Sequence, residues 1–193
     1  KDFCYWISPL TELYNKTIGL IGFGSIGQRV AKIASSYGMK VIVHTRTESK
    51  VTEYNKDVHE DEKVKFVTLD ELLSTSDIVS LHCPLTNENK GLINSDALKK
   101  IKDGALLINT ARGPLVDEQA VRDALDSGKL RGYATDVLSS EPMSEDCPLL
   151  NAKNCVITPH VAWAAKETRE RLLSIAVENL RSFLNGKVIN RVN

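Results

Sequence analysis

Seven short apolar runs punctuate the chain, at residues 17–21, 41–44, 65–67, 77–82, 105–109, 132–137 and 156–158. They are continuous rather than alternating, which is how strands buried on both faces read. The stretches between most of them read as helices, at 28–37, 69–73, 94–100 and 117–125, and a long amphipathic helix follows at 166–184. Asn94 or Ser95 would cap the third of these helices, and Gly38, Gly128 and Asn185-Gly186 mark helix ends. Pro84 and Pro159 stop the strands before them. Strands alternating with helices predict an α/β fold with a doubly wound parallel sheet. No internal repeat, low-complexity tract or flexible linker interrupts the pattern, and residues 144–154 form a polar loop.

The first run leads straight into Gly22-Phe23-Gly24-Ser25-Ile26-Gly27, and a helix follows. Strand, Gly-x-Gly-x-x-Gly, helix is the dinucleotide-binding fingerprint in the context it requires, and it makes the sheet a Rossmann fold. Gly22 allows the tight turn, Gly24 lets a pyrophosphate approach the backbone, and Gly27 lets helix and strand pack closely. The phosphates then meet the N–H groups and the positive end of the helix. Gly22, Gly24, Ser25, Ile26 and Gly27 are therefore candidate cofactor-binding residues. In such sheets ligands bind beyond the carboxyl ends of the strands. The polar clusters at 22–27, 44–47, 83–86, 110–113, 136–141 and 160–163 should then converge on one edge.

The end of the second strand identifies the cofactor more closely. A carboxylate is expected about 20 residues after the glycines to hold the ribose hydroxyls. This chain reads His44-Thr45-Arg46-Thr47, with no carboxylate before Glu48. Two hydroxyls and a guanidinium suit a 2′-phosphate, because arginine grips phosphate through a charge-assisted fork. Thr45, Arg46 and Thr47 thus point to NADP rather than NAD. The competing reading makes Arg46 a solvated loop cation and accepts either cofactor.

Composition narrows the remaining classes. The chain has 193 residues, of which 42% are hydrophobic and 26% charged, as in a globular domain with a real core. Twenty-five basic and 25 acidic residues cancel, which gives no support to nucleic acid or an anionic membrane as partner. No apolar run approaches the ~18 residues of a membrane span. No signal peptide is visible, so a cytoplasmic protein is expected. Cys4, Cys83, Cys147 and Cys155 lack metal-ligand spacing, so no metal site and no disulfide framework is expected. The chain opens on Lys1 rather than Met, which reads as part of a longer protein.

Three further segments carry chemistry. They are Leu107-Ile108-Asn109-Thr110-Ala111-Arg112-Gly113, Asp136-Val137-Leu138-Ser139-Ser140-Glu141-Pro142 and Thr158-Pro159-His160-Val161-Ala162-Trp163. In sequence, order and spacing they resemble the signatures of the D-isomer-specific 2-hydroxyacid dehydrogenases. Cys4-Tyr5-Trp6 and His160-Val161-Ala162-Trp163 lean toward the glycerate dehydrogenase, or hydroxypyruvate reductase, branch.

The resemblance implies hydride transfer between NAD(P)H and a small 2-keto or 2-hydroxy acid, of the hydroxypyruvate, glycerate or glyoxylate type. Arg112 would hold the substrate carboxylate and polarise its keto oxygen, tasks that suit a permanently charged fork. His160 would be the acid in reduction and the base in oxidation, and Glu141 would orient its ring. Asp136 is implied at the nicotinamide carboxamide. Cys83, Pro84 and Thr86 would lie against adenosine and ribose, and Thr110 and Ala111 would approach the nicotinamide end. Cys83 reads as a small apolar filler, and His44, His59 and His82 as structural or solvated.

A complete member of that family carries a second, substrate-facing domain. The resemblance therefore implies a cofactor domain over residues 1–164 and a return helix and tail over 165–193 that would pack on the absent domain. Such a chain binds cofactor but turns over substrate poorly alone. Phe3, Tyr5 and Trp6 are expected in a two-fold homodimer contact. A cofactor-sensing corepressor on the same fold is the alternative, disfavoured by the neutral charge and short tail. An adenosyl-homocysteine hydrolase type of domain is disfavoured by the Arg112, Glu141 and His160 motifs.

Overall fold

The computed structural model describes residues 3–5 and 10–192, and Trp6 lies outside the described residues. Two compact units divide the chain, Lys1–Ile157 and Thr158–Asn193.

All seven apolar runs become strands, with ends shifted by at most two residues. They are β1 (Thr17–Ile21), β2 (Lys40–His44), β3 (Lys65–Phe66), β4 (Ile78–Leu81), β5 (Ala105–Asn109), β6 (Leu130–Thr135) and β7 (Cys155–Ile157). They form one sheet in the order β3-β2-β1-β4-β5-β6-β7, and every pairing is parallel. The order reverses between β1 and β4, which creates the crevice where such sheets bind ligands. The register aligns the carboxyl ends. Ile21 pairs with both His44 and Leu81, Leu81 with Asn109, and Asn109 with Thr135. Gly22, Thr45, His82, Thr110 and Asp136 therefore leave the sheet at one level.

Among the described residues, five helices accompany the sheet in this unit: α1 (Ser25–Ser36), α2 (Ser49–Tyr54), α3 (Leu69–Thr75), α4 (Ser95–Lys100) and α5 (Glu118–Asp126). α1 begins three residues earlier than its apolar pattern suggests, so Ser25, Ile26 and Gly27 form its first turn. α2 has no sequence signature. It is six residues long, buries only Val51 and has no side-chain cap. Asn94 caps α4 by accepting from the N–H groups of Asp96 and Ala97.

The strands bury both faces. Ile18 and Leu20 of β1 join Val41 and Val43 of β2 and Ala31 and Ala34 of α1 in one cluster. Ile21 faces the other way, into a larger cluster with Leu72, Leu81, Leu107 and Val121. Each fully buried leucine contributes about 2 kcal/mol through removal from water. This two-sided burial explains why the strands are continuously apolar.

In the second unit, His160 closes a turn in which its N–H donates to the Thr158 carbonyl at 3.0 Å. His160 has φ of 52°, an uncommon backbone state for a residue other than glycine. α6 (Lys166–Leu184) follows with the expected bounds. It buries none of its residues and leaves Leu172, Leu173, Ile175, Leu180 and Phe183 exposed. Among the described residues, no helix is long and apolar enough to cross a membrane.

Candidate functional site

The glycine turn is shaped by two backbone contacts and one opening. Gly22 has φ of 96°, and its N–H donates to the His44 carbonyl at 2.8 Å. A Cβ on Gly27 would lie 2.6 Å from the Gly22 carbonyl oxygen. Gly24 differs, because a Cβ there would meet nothing within 4 Å. Protein packing therefore does not require glycine at 24, and the space before it is open to a ligand. No side chain caps α1, and its first turn holds no acidic residue. An uncapped N-terminus without nearby negative charge leaves N–H groups and the positive end of the helix dipole available to an anion.

A cavity of about 380 Å³ opens from this turn. It is lined by Gly22 and Gly24, by Thr45, Arg46 and Thr47 after β2, and by Cys83, Pro84 and Thr86 after β4. Three polar lining residues lie outside the motifs singled out in the sequence: Lys50, Glu88 and Asn89. Lys50, from the first turn of α2, adds a second cation beside Arg46. Asn89 folds the loop after β4. Its Oδ1 accepts from the Thr86 N–H at 2.7 Å, and its Nδ2 donates to the Pro84 carbonyl at 2.8 Å. Glu88 is a carboxylate on the same wall. The Thr86 side chain, its own backbone and the Arg46 charge hold its carboxyl below the usual range. His44 also lines this cavity, with Nδ1 3.1 Å from the Val67 carbonyl oxygen and its ring stacked on Phe66.

A second cavity, of about 410 Å³, is lined by Ile26, Leu85, Thr110, Ala111 and Arg112. His82, Cys83 and Pro84 line both, so the two adjoin beyond β4. Together they make a trough along the sheet edge, from the Arg46 end to the Arg112 end. Burial pushes the Cys83 thiol up, which keeps it protonated at neutral pH, as suits a filler. His82 is half-buried, and its Nε2 hydrogen-bonds Ser80 Oγ at 2.9 Å.

Burial lowers the pKa of His82 below its ordinary value near 6.5. In the unfolded chain the imidazole takes up its proton as pH falls through about 6.5, whereas in the fold it resists. The unfolded state then binds more protons, so His82 subtracts stability below that pH and subtracts none well above it. His82→Gln is expected to flatten the fall in stability between about pH 7 and pH 5.5. Urea unfolding of both proteins across that range checks this, and parallel curves would refute it.

The Arg112 end rests on a buried polar network. Asn109, the last residue of β5, is fully buried. Its Oδ1 accepts from the Ala111 N–H and its Nδ2 donates to the Arg112 carbonyl, both at 3.0 Å. Its own carbonyl accepts from the Asp136 N–H at 3.0 Å, and Thr135 Oγ1 lies 3.2 Å away. Burial pushes the Tyr133 phenol up to about 12, while Thr135 and Asn109 hydrogen-bond it. One asparagine thus fixes both the turn that carries Arg112 and the start of the loop that carries Asp136 and Glu141. In that loop, Glu141 Oε1 accepts from the Leu138 N–H at 2.9 Å.

The first unit therefore brings five of the six polar clusters to one edge. His160 belongs to the second unit, in the turn described above, and is exposed. His59 stands ahead of the 3-10 turn Glu60–Glu62, outside both cavities. Among the described residues, no group of three His, Cys, Asp or Glu side chains gathers to hold a metal ion.

Residues 6–162 match the family described as "D-isomer specific 2-hydroxyacid dehydrogenase, NAD binding domain". A relative named hydroxypyruvate reductase, from Blautia hydrogenotrophica, is 49% identical over 192 residues, covering 100% of this chain and 58% of that protein. An acyclic imino acid reductase (Bsp5), solved in complex with NADPH and D-Arg, superposes with a TM-score of 0.80 at 37% identity. That match covers 95% of this chain and 55% of the reductase. An NAD-dependent formate dehydrogenase from Staphylococcus aureus, solved with NAD, gives 0.81 at 34% identity, covering 93% and 51%. The chain spans little more than half the length of the curated relatives it matches.

Proposed function

Because this chain belongs to the D-isomer-specific 2-hydroxyacid dehydrogenase family, as its NAD-binding domain, we propose that it serves reduction of a small 2-keto acid, of the hydroxypyruvate or glyoxylate type. The observation that carries the reading is the Arg112 end of the trough. There the guanidinium, whose Nη1 donates to the Ala111 carbonyl at 2.6 Å, lines one cavity with Thr110, Ala111 and Ile26 of the glycine turn. A cation at the far end of the trough from Arg46 suits the carboxylate of a substrate meeting the cofactor.

When bound, a reduced nicotinamide supplies a hydride. Gly24 and the first turn of α1 hold the pyrophosphate, and Cys83, Pro84 and Thr86 bound the adenosine side. Thr110 and Ala111 border the nicotinamide end, where Asp136 takes the carboxamide. Arg112 binds the substrate carboxylate and draws electron density onto the keto oxygen. The family resemblance assigns His160 the proton transfer to that oxygen, and Glu141 the orientation of an imidazole that would allow it. The substrate panel is run on the full-length protein with hydroxypyruvate, glyoxylate and pyruvate. Loss of no cofactor absorbance with any of them would sink the reading.

NADPH is the preferred cofactor. Thr45, Arg46, Thr47 and Lys50 at the adenosine end support this, two hydroxyls and two cations where a ribose 2′-phosphate would lie. NADPH is expected to bind about tenfold tighter than NADH, a difference of about 1.4 kcal/mol. Arg46→Ala should weaken NADPH while leaving NADH within about twofold. Fluorescence titration of both proteins with both cofactors is the check, and equal or tighter binding of NADH by the unaltered chain would overturn the preference.

Residues 165–193 pack on a substrate domain, a reading that the exposed apolar side chains of α6 support. The enzyme works as a homodimer in the cytoplasm. Exposed Phe3 and Tyr5 support the dimer contact, and four free thiols suit a reducing compartment. The relatives named above are reductases and dehydrogenases, and no observation favours the corepressor alternative.

A further inference from the structure

We propose that Glu118 is a positioning residue, whose carboxylate ties the turn carrying Arg112 to the loop carrying Glu141. The proposal deepens the functional reading above and rests on it. Glu118 is the first residue of α5, but the helix does not need it as a cap. Asp117 already fills that role, accepting from the Ala120 N–H at 3.0 Å. The half-buried carboxylate of Glu118 instead reaches across to a distant loop. One oxygen accepts from the Ser139 N–H at 2.7 Å, and the other lies 3.9 Å from the Cys147 thiol.

Its neighbours give that reach a consequence. The next amide along, that of Leu138, donates to Glu141 Oε1. Two successive amides of one loop thus go to two carboxylates, Glu118 from outside and Glu141 from within. On the other side the loop lies against the residue after Arg112. A Cβ on Gly113 would fall inside the Leu138 carbonyl and against the Ser139 nitrogen. Arg112 is followed by the 3-10 turn Gly113–Leu115 and then by α5 itself. The chain therefore leaves Arg112, touches the Glu141 loop at Gly113, and returns to grip it again through Glu118. Without Glu118 the Ser139 amide loses its acceptor, and the turn that presents Glu141 loses one of its two carboxylate anchors.

A loop staple that served stability alone would lower melting temperature and leave turnover untouched. A positioning residue affects kcat. In the full-length enzyme, Glu118→Ala is expected to lower kcat by about ten- to a hundredfold while NADPH affinity stays within about twofold, since misplacement of a catalytic group by an ångström has effects of that size. Glu118→Gln keeps an oxygen for the Ser139 amide and should retain kcat within about threefold. Should the alanine variant fail to fold, Glu118→Asp takes its place, because a carboxylate one methylene shorter falls short of Ser139. Unaltered kcat in the alanine or aspartate variant overturns the proposal, as does equal loss in the glutamine variant. His160→Gln serves as the reference: if it turns over normally, the functional reading itself has failed, whereas an inactive His160→Gln beside a fully active Glu118→Ala defeats the positioning role alone.

Discussion

Gly22→Ala is expected to destabilise the domain by several kcal/mol and to abolish measurable cofactor binding, whereas Gly24→Ala should leave the fold nearly intact and lose binding alone. At Gly22, the φ of 96° is one that an L side chain rarely adopts. The added Cβ would also lie 2.6 Å from the Cys83 nitrogen and 2.7 Å from the His82 carbonyl carbon. Those are backbone atoms at the end of a central strand, so they cannot swing aside as a flexible side chain would. Strain and overpacking each cost about 1–3 kcal/mol. Their sum is a large part of the 5–15 kcal/mol that holds a typical domain together. Gly24 is the opposite case. Its φ is −82°, and a Cβ would touch no protein atom within 4 Å. Replacing glycine at this helix cap costs about 1 kcal/mol or less. What the methyl does occupy is the space over the first turn of α1, where the proposed cofactor's pyrophosphate would come close. Thermal melts and NADPH titrations of the two variants separate the roles. Normal NADPH affinity in Gly24→Ala would mean that the phosphates do not cross there.

This pair also shows what the sequence could disclose. Both glycines belong to one fingerprint, and spacing alone assigns them to one function. Only the neighbouring backbone at His82 and Cys83, 60 residues away in the chain, tells a folding requirement from a binding one. The sheet itself was legible because two-sided burial writes itself as continuous apolar strands, and all seven runs such as 105–109 reappear in it. α2 was not, since six residues of which only Val51 is buried leave no periodic trace. The cluster Thr45-Arg46-Thr47 could be read from its distance to the glycines. Lys50 could not, because its place in the cavity wall depends on the unforeseen turn of α2. In the sequence Asn109 is only the last residue of an apolar run. Its work is tertiary, joining the Arg112 turn to the start of the Asp136 loop, and no local pattern announces a bond to a residue on the next strand.

Arg112→Gln in the full-length enzyme should lower kcat/KM for the 2-keto acid by about a hundred- to ten-thousandfold, while NADPH affinity remains within about twofold. The size follows from the role proposed for it. A guanidinium that grips a carboxylate and a developing alkoxide makes at least two charge-assisted hydrogen bonds, each worth about 1.5–3 kcal/mol. Glutamine keeps some of the length but neither the charge nor the fork. The surroundings make the result interpretable. Asn109 holds the backbone at Ala111 and Arg112 through main-chain atoms, which the substitution leaves unchanged. The Arg112 side chain is exposed, so its loss opens no cavity in the core. Stability should thus stay within about 1 kcal/mol, and a fall in turnover cannot be blamed on unfolding. Arg112→Lys adds a second test. It restores the charge as a single point without the planar fork, and should recover only part of the loss. If lysine restored full activity, a positive charge at the trough end would suffice, and the forked contact with the substrate would have to be abandoned.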